Sequence, residues 1–465
     1  MANASAAAVA VRAIPRRADA VVLGAGIAGV AAAYHLLRYH GLTSVVLADP
    51  RPPLCGTSAR STECYRTFFE TPALVAFMAR SVLGLEAHAR ESGNAFRMSR
   101  RGYLFVSSRG AAGAAELRRA AANASAWGAG PLREHRGGAA AATYAHNRPG
   151  QLDGTDWIPA TGDGFDLLEG RQLVQAHFPF LAATVDVALH ARCAGWVNAH
   201  VYGSYFLEGA RSRGATLVRA AASGVALEGD RVVGVRLASA EDGGEALVST
   251  PVVVNATGPF LQATQRALDP QDRGRADLRI FNEPHGKISF RLPATVPGAD
   301  LLTSTAPMVI CSDELALPWT DDERAALAEA AEQATTTWSR AYLRALGGRL
   351  PSGLHFRPYG RDAILALWEF AHVDTPAPDP PTYELDHLWE PTYAEVVQRG
   401  LAELVPALRT AVGATRVTVN GGLYCKTHDN HPLIGPHGPA GVYLCGGLRG
   451  VGIMGAEVWP PLRTQ

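Results

Sequence analysis

The stretch AVVLGAGIAGVAAAYHLLRYHGLTSVVLAD, residues 20–49, restricts the possible folds more than any other part of the chain. A β-branched apolar run leads into Gly24-x-Gly26-x-x-Gly29, an apolar helix closes at Gly41, and TSVVLAD follows as a second β-branched run. The order is strand, tight turn, helix, strand. The first glycine permits the turn, the second lets a pyrophosphate approach the main chain, and the third lets the helix pack against the strand, with the helix N-terminus facing the phosphates. Asp49 stands 20 residues after Gly29, where an acidic side chain accepts the ribose hydroxyls of an adenosine. Glycine-rich core helices also carry G-x-G-x-x-G, but the strand before it and the acid after it favour a dinucleotide. An NADP reading through Arg51 is disfavoured, because Asp49 would repel a 2′-phosphate. The apolar run approaches membrane-span length, yet three glycines and His35 interrupt it, so a spanning helix is a poor reading.

Composition narrows the class. With 465 residues, 47% of them hydrophobic, the chain can build two or more domains around a large core. Its 43 basic and 43 acidic side chains balance, which gives no sign of a nucleic-acid or anionic-membrane partner. Cys55, Cys64, Cys193, Cys311, Cys425 and Cys445 form no C-x-x-C pair and argue against a disulfide framework or structural zinc; a reducing, cytoplasmic setting fits. His428-Asp429-Asn430-His431 has no further ligand at useful spacing, so no metal is expected. Residues 1–17, with arginines and alanines and no acid, read as a disordered lead-in, an organelle transit peptide being the alternative.

NAD and FAD share this first half, and other motifs must choose between them. GTSARSTECYRTFF, a small-residue turn, follows the second strand, VVVNATGPF spans residues 252–260, GGLYCKTHDNHPLIGP spans residues 421–436, and CGGLRGVGIMGAE runs from Cys445 to Glu457. Through these four motifs the chain resembles the D-amino-acid oxidase superfamily of FAD-dependent oxidoreductases, which includes glycine oxidase, sarcosine oxidase and L-2-hydroxyglutarate dehydrogenase. The resemblance covers essentially the whole chain. It implies an α/β fold: a Rossmann-type FAD-binding domain of the glutathione-reductase kind, and a second α+β substrate domain built on an antiparallel sheet.

The resemblance also distributes the cofactor contacts. Gly24, Gly26, Ile27, Ala28, Gly29, Asp49, Pro50 and Arg51 serve the diphosphate and adenosine, with Val225 against the adenine. Ser58, Ser61, Thr62 and Glu63 lie in the flavin turn, and Ala256, Thr257 and Gly258 pass the adenosine. Gly447, Arg449, Gly450, Val451, Gly452 and Ile453 supply backbone donors to the pyrimidine end of the flavin. Exposed N–H groups at a helix start there would stabilise negative charge on reduced flavin. A branched residue at Gly450 would fill the ring's space and could not adopt positive φ cheaply. Arg449 departs from the small residue common in the family and either points to solvent or adds positive charge near the ring. FAD is expected without a covalent link, since the tethering cysteine position, two before the tyrosine, is Gly422.

The motif positions place the FAD-binding domain at residues 18–96, 187–262 and 412–465, and the substrate domain at 97–186 and 263–411. RMSRRGYLFVSS and HGKISFRL read as strands, and HFRPYGRDAILALWEF as two strands around Pro358-Tyr359-Gly360. SGVALEGDRVVGVRL reads as a hairpin turning at Gly229-Asp230. TDDERAALAEAAEQATTTWSRAYLRAL opens on a Thr320-x-x-Glu323 capping box and reads as one long helix. Pro460-Pro461 stops the last helix early.

The activity implied is oxidation of the C–N bond of a small amine or amino acid, with hydride passing to flavin N5 and the imine hydrolysed, oxygen or an electron carrier taking the electrons. Resemblance puts Arg66, Tyr424 and Lys426 at the reacting end: Arg66 for a substrate carboxylate, Tyr424 for orientation. His285, Lys287, His355 and Arg357 are second-rank strand candidates. Arg66, followed by Phe68 and Phe69, reads equally as a brace for the flavin turn. A 2-hydroxy-acid dehydrogenase and a non-catalytic flavoprotein that partners an assembly are the alternatives on the same fold.

Overall fold

The structure, a computed structural model, describes residues 13–137, 143–146, 163–272, 279–335, 337–368, 377–385 and 392–457. Most of the expected lead-in and the Pro460-Pro461 stop lie outside these residues. The chain divides into two compact units, one of residues 1–59, 199–282 and 424–465, the other of 60–198 and 283–423.

The first unit begins with β1 (Ala20–Leu23), α1 (Ile27–Tyr39) and β2 (Val45–Ala48). Both strands are buried along their whole length, which explains their unbroken apolar runs: in a parallel sheet covered on both faces no position alternates to solvent. β1 pairs in parallel with β2 on one side and with the Val253–Asn255 strand on the other. Ala215–Val218 and Val442–Gly446 extend the parallel sheet, and Leu433–Pro436 closes one edge antiparallel. A three-stranded antiparallel sheet adds the hairpin expected at Gly229, where φ is +61°.

The second unit is built on a nine-stranded sheet. It is mainly antiparallel, as in the hairpin His355–Tyr359 and Ala363–Leu367, where Pro358 and Tyr359 belong to the first strand rather than to the turn. Parallel joints also occur, Met308–Cys311 beside Tyr103–Ser107 and Leu132–Arg136 beside Phe165–Glu169. A core of Leu104, Leu168, Ile288, Phe356, Ile364 and Trp368 lies against this sheet, joined by Val396, Val397 and Leu401 from the helix Tyr393–Leu404.

Two expectations about helices change. The Thr320–Glu323 capping box is present, but the helix it starts ends at Gln333, and a second helix runs Thr337–Leu346. Ala334 has extended dihedrals, φ −61° and ψ +126°, which carry the chain out of the helix after Gln333. The glycine run after Gly446 is the other case. Gly452–Glu457 forms successive turns rather than a helix start, in keeping with the low helix propensity of its glycines.

Candidate functional site

In the first unit the three motif glycines have different reasons to be glycine. Gly24 has φ +97°, and a Cβ there would meet the Ala256 carbonyl oxygen at 2.5 Å. A Cβ at Gly29 would stand 1.8 Å from the Gly24 oxygen, so helix and strand touch backbone to backbone. Gly26 is the N-cap of α1, and a Cβ there would meet only the Ser58 Oγ at 3.6 Å. Among the described residues nothing demands a glycine at Gly26. The space is what a ligand pressed against the helix N-terminus would need.

The electrostatics agree. The first turn of α1 carries no acidic residue, and the cap makes no side-chain hydrogen bond, so the positive end of the helix dipole is uncompensated by its own sequence. Ser58 turns its Oγ to accept the Ile27 N–H at 3.0 Å, tying the segment after β2 to the same helix end. At the end of β2 the Asp49 carboxylate is 6% exposed; its two oxygens accept the N–H groups of Ala25 and Arg51, each at 2.9 Å. Oδ1 also takes the Arg51 Nε–H at 3.4 Å, while Oδ2 keeps a second lone pair for a ribose hydroxyl. Arg51 stacks on Phe260 at 4.4 Å, and Arg219 donates to the Pro50 carbonyl at 2.8 Å. These residues fit an FAD diphosphate and adenosine. Val225 packs partly into the core beneath the three-stranded sheet. Asn255 accepts the Thr257 hydroxyl at 2.7 Å and shapes the Ala256–Gly258 turn, where Gly258 has φ +58°.

The C-terminal glycine run differs in one respect from its sequence reading. Positive φ falls at Gly447 and Arg449, not at Gly450. Gly450 is glycine for a steric reason: a Cβ there would stand 2.9 Å from the Tyr424 ring. Arg449, at φ +43°, donates its main-chain N–H to the Cys425 carbonyl at 2.8 Å, while its guanidinium reaches the Asn430 carbonyl at 3.4 Å. At Gly452 a Cβ would meet nothing closer than 3.8 Å, so here too the protein leaves room. Val451 and Ile453 are buried. Tyr424 and Lys426 lie on one face of the strand Val417–Lys426, and Cys425 on the other. The Cys425 thiol donates to the Gly258 carbonyl, 3.2 Å away, and burial pushes it up to about 11.

In the second unit the Ser61–Glu63 segment, expected to form the flavin turn, is gripped by side chains distant in sequence. Arg357, 2% exposed, donates to Glu63 Oε2 at 2.6 Å and to the Thr62 carbonyl at 2.9 Å. Lys287 donates to the Ser61 carbonyl at 2.5 Å. Burial pulls this lysine down to about 8, with Glu63 opposing the shift. Glu63 itself is held at φ +65°, a left-handed conformation costly for a non-glycine residue and sustained by these contacts. Sequence reading missed this grip, since Arg357 lies 294 residues from Glu63 and nothing local signals the pair. His285 and His355 face inward to Glu283 and to the Gly353 carbonyl, both at 2.7 Å. Cys64 is buried, and burial raises its thiol, so it is a packed side chain rather than a nucleophile.

Arg66 is placed differently. It ends the short strand Cys64–Arg66, half-buried, with its guanidinium 4.7 Å from the Phe69 ring centroid and 5.8 Å from that of Tyr103. Among the described residues no carboxylate lies within ion-pair distance of it. Phe68, Phe105 and Phe165 continue the aromatic wall at centroid separations of 5.0 and 5.2 Å. An aromatic seat with an uncompensated guanidinium can take an anion without displacing an internal partner. Among the described residues no helix is long and apolar enough to cross a membrane, and no group of three or more His, Cys, Asp or Glu could hold a metal.

Comparison with known proteins agrees with this architecture. Among solved structures the chain is similar to L-proline dehydrogenase from P. horikoshii at 19% identity and a TM-score of 0.66, covering 96% of this chain and 91% of that one. Glycine oxidase from Geobacillus kaustophilus matches at 15% identity and a TM-score of 0.64, covering 95% and 92%. L-amino acid deaminase from Proteus vulgaris matches at 16% identity and a TM-score of 0.63, covering 96% and 88%. A search of curated protein sequences found no match. The model of the DAO family, described as FAD dependent oxidoreductase, matches residues 19–456. The chain therefore belongs to the DAO family of FAD-dependent oxidoreductases.

Proposed function

We propose that the protein oxidises the C–N bond of a small amine or amino acid that carries a carboxylate, the resulting imine being hydrolysed by water. The observation that carries this reading is Arg66, half-buried on Phe69 and Tyr103 with no carboxylate beside it among the described residues. Bound FAD supplies the acceptor for the hydride removed with the C–N oxidation. The protein's own residues do the rest. Arg66 pairs the substrate carboxylate in a bidentate fork, and Tyr424 orients the substrate. Lys287 and Arg357 fix the Ser61–Glu63 main chain, which keeps the flavin turn in one geometry. Relatives of the fold named for proline, glycine and other amino acids support the substrate class, and oxygen is the proposed acceptor, giving hydrogen peroxide.

The test is anaerobic bleaching of the flavin band by a panel of amino acids, N-methyl amino acids and 2-hydroxy acids, followed by peroxide measurement in air. Bleaching by an amine-bearing carboxylate supports the proposal. Bleaching by hydroxy acids alone overturns it in favour of C–O oxidation, and no bleaching by any member overturns it in favour of a non-catalytic flavoprotein.

A further inference from the structure

The second unit holds a cleft of about 1180 Å³ whose lining includes Arg101, Arg357 and Trp196 at depth and Arg97, Arg361 and Arg416 at its exposed rim. Arg66 is not part of it. Two acids face the cleft, and both are engaged: Glu63 with Arg357 at 2.6 Å, and Asp362 with Arg291 at 3.5 Å. Arg97, Arg101, Arg361 and Arg416 have no acidic partner among the described residues. Four guanidinium charges in one concavity are therefore left without compensation by any described residue.

Arg101 is the telling member. It is 8% exposed, and among the described residues its side chain makes one hydrogen bond, from Nη1 to the Thr303 carbonyl at 2.9 Å. Its Nε N–H is buried with no acceptor among the described residues. Its guanidinium lies 5.5 Å from the centroid of the Trp196 ring. Burial alone acts on it, pulling it down to about 10, because no carboxylate stands near enough to oppose the shift. Nε itself lies beneath the surface; it is the remainder of the guanidinium, lining the cleft and without an acidic partner among the described residues, that can take a ligand oxygen.

We infer that this cleft is a second anion site, separate from Arg66, that takes a nucleoside di- or triphosphate through Arg97, Arg101, Arg361 and Arg416. Guanidinium forks match phosphate oxygens bidentately. The four uncompensated positive charges balance a triphosphate group. The volume exceeds the roughly 300–1,000 Å³ of ordinary small-molecule pockets, so a lone inorganic phosphate would leave most of it unfilled. The inference does not depend on the identity of the oxidised substrate.

Equilibrium dialysis of the FAD-loaded protein against ATP, and separately against inorganic triphosphate, tests it. About one ATP per chain is expected. Arg101→Met should weaken binding by at least about tenfold, because a hydrogen-bonded buried charge is removed. Should Arg101→Met fail to retain FAD, the rim pair Arg361→Ala with Arg416→Ala decides, since both side chains are exposed and their loss should weaken binding about fivefold without altering flavin absorbance. Triphosphate binding as tightly as ATP supports a site that reads phosphates only; tighter ATP binding supports one that also holds the nucleoside. Failure of both probes to bind the wild-type holoprotein overturns the inference, as does binding that the rim pair leaves unchanged.

Discussion

A Cβ on Gly450 would stand 2.9 Å from Tyr424 Cε2 and 3.2 Å from Cζ, so the tyrosine ring rests directly on the glycine. The glycine run thus does more than leave main-chain donors open: it seats the side chain proposed to orient the substrate. Gly450→Ala should turn the ring away and lower kcat/KM about tenfold with FAD retained, and Gly450→Val should go further and release flavin. Steady-state kinetics beside the flavin absorbance of the purified variants check this. Unchanged kinetics in both variants would show that the contact has no functional weight.

Arg66→Ala should raise KM for a carboxylate substrate by a factor of tens or more, since truncating one partner of a buried fork costs about 2–5 kcal/mol. Arg66→Lys should rescue poorly, because an ammonium cannot reproduce the planar fork. An unchanged KM in a flavin-replete Arg66→Ala protein would return this arginine to a bracing role against Phe69.

Arg357→Met should destabilise the protein by about 3–5 kcal/mol and lower its FAD content. The reason is that Glu63 loses its buried partner while Thr62 loses the N–H that holds its carbonyl. Urea unfolding and the ratio of flavin to protein absorbance are the measurements. A variant with full flavin content and unchanged midpoint would mean the left-handed Glu63 holds its shape without the arginine.

Acid should weaken the second unit through histidines packed about Tyr144. Burial holds His146 down at about 4 and His190 at about 3, both below the ordinary 6.5. Arg192 opposes protonation of both, and Asp166 favours that of His190. Each of the two binds a proton less readily folded than unfolded, so stability is present above pH 6.5 and is lost as pH falls from 6.5 toward the folded values, by up to about 1.4 kcal/mol per pH unit per group. Asp166, held low by Arg133, Arg192 and His135 against its own burial, adds to the loss below pH 4. Denaturant unfolding at pH 7 and pH 5 should differ by about 1–2 kcal/mol per histidine, and His146→Phe should flatten the slope by about one proton. Equal stability at the two pH values would contradict the packing of His146 and His190 as uncharged rings.

Acid precipitation should leave the yellow colour in the supernatant, because FAD is expected to be held without a covalent bond. Cys425, the cysteine nearest in sequence to Tyr424, is turned to the Gly258 carbonyl. Colour in the pellet would require a tether from some other side chain.

What the chain's own sequence determined is local or periodic. Gly24, Gly29 and Asp49 sit within one strand–helix–strand unit, where turn sterics and a spacing of 20 residues carry the message. The capping box at Thr320 and the hairpin at Gly229 are legible for the same reason: each is a contact between near neighbours. Only the tertiary structure decided which distant side chains meet. Arg357 grips Glu63 across 294 residues, Lys287 reaches Ser61 across 226, and Arg101 is left beside Trp196 with no acid in reach among the described residues. These outcomes depend on which strands of the nine-stranded sheet become neighbours. That order follows from collective burial of a core rather than from any local pattern, so a charged residue read in isolation does not reveal whether it braces, binds or waits for an anion.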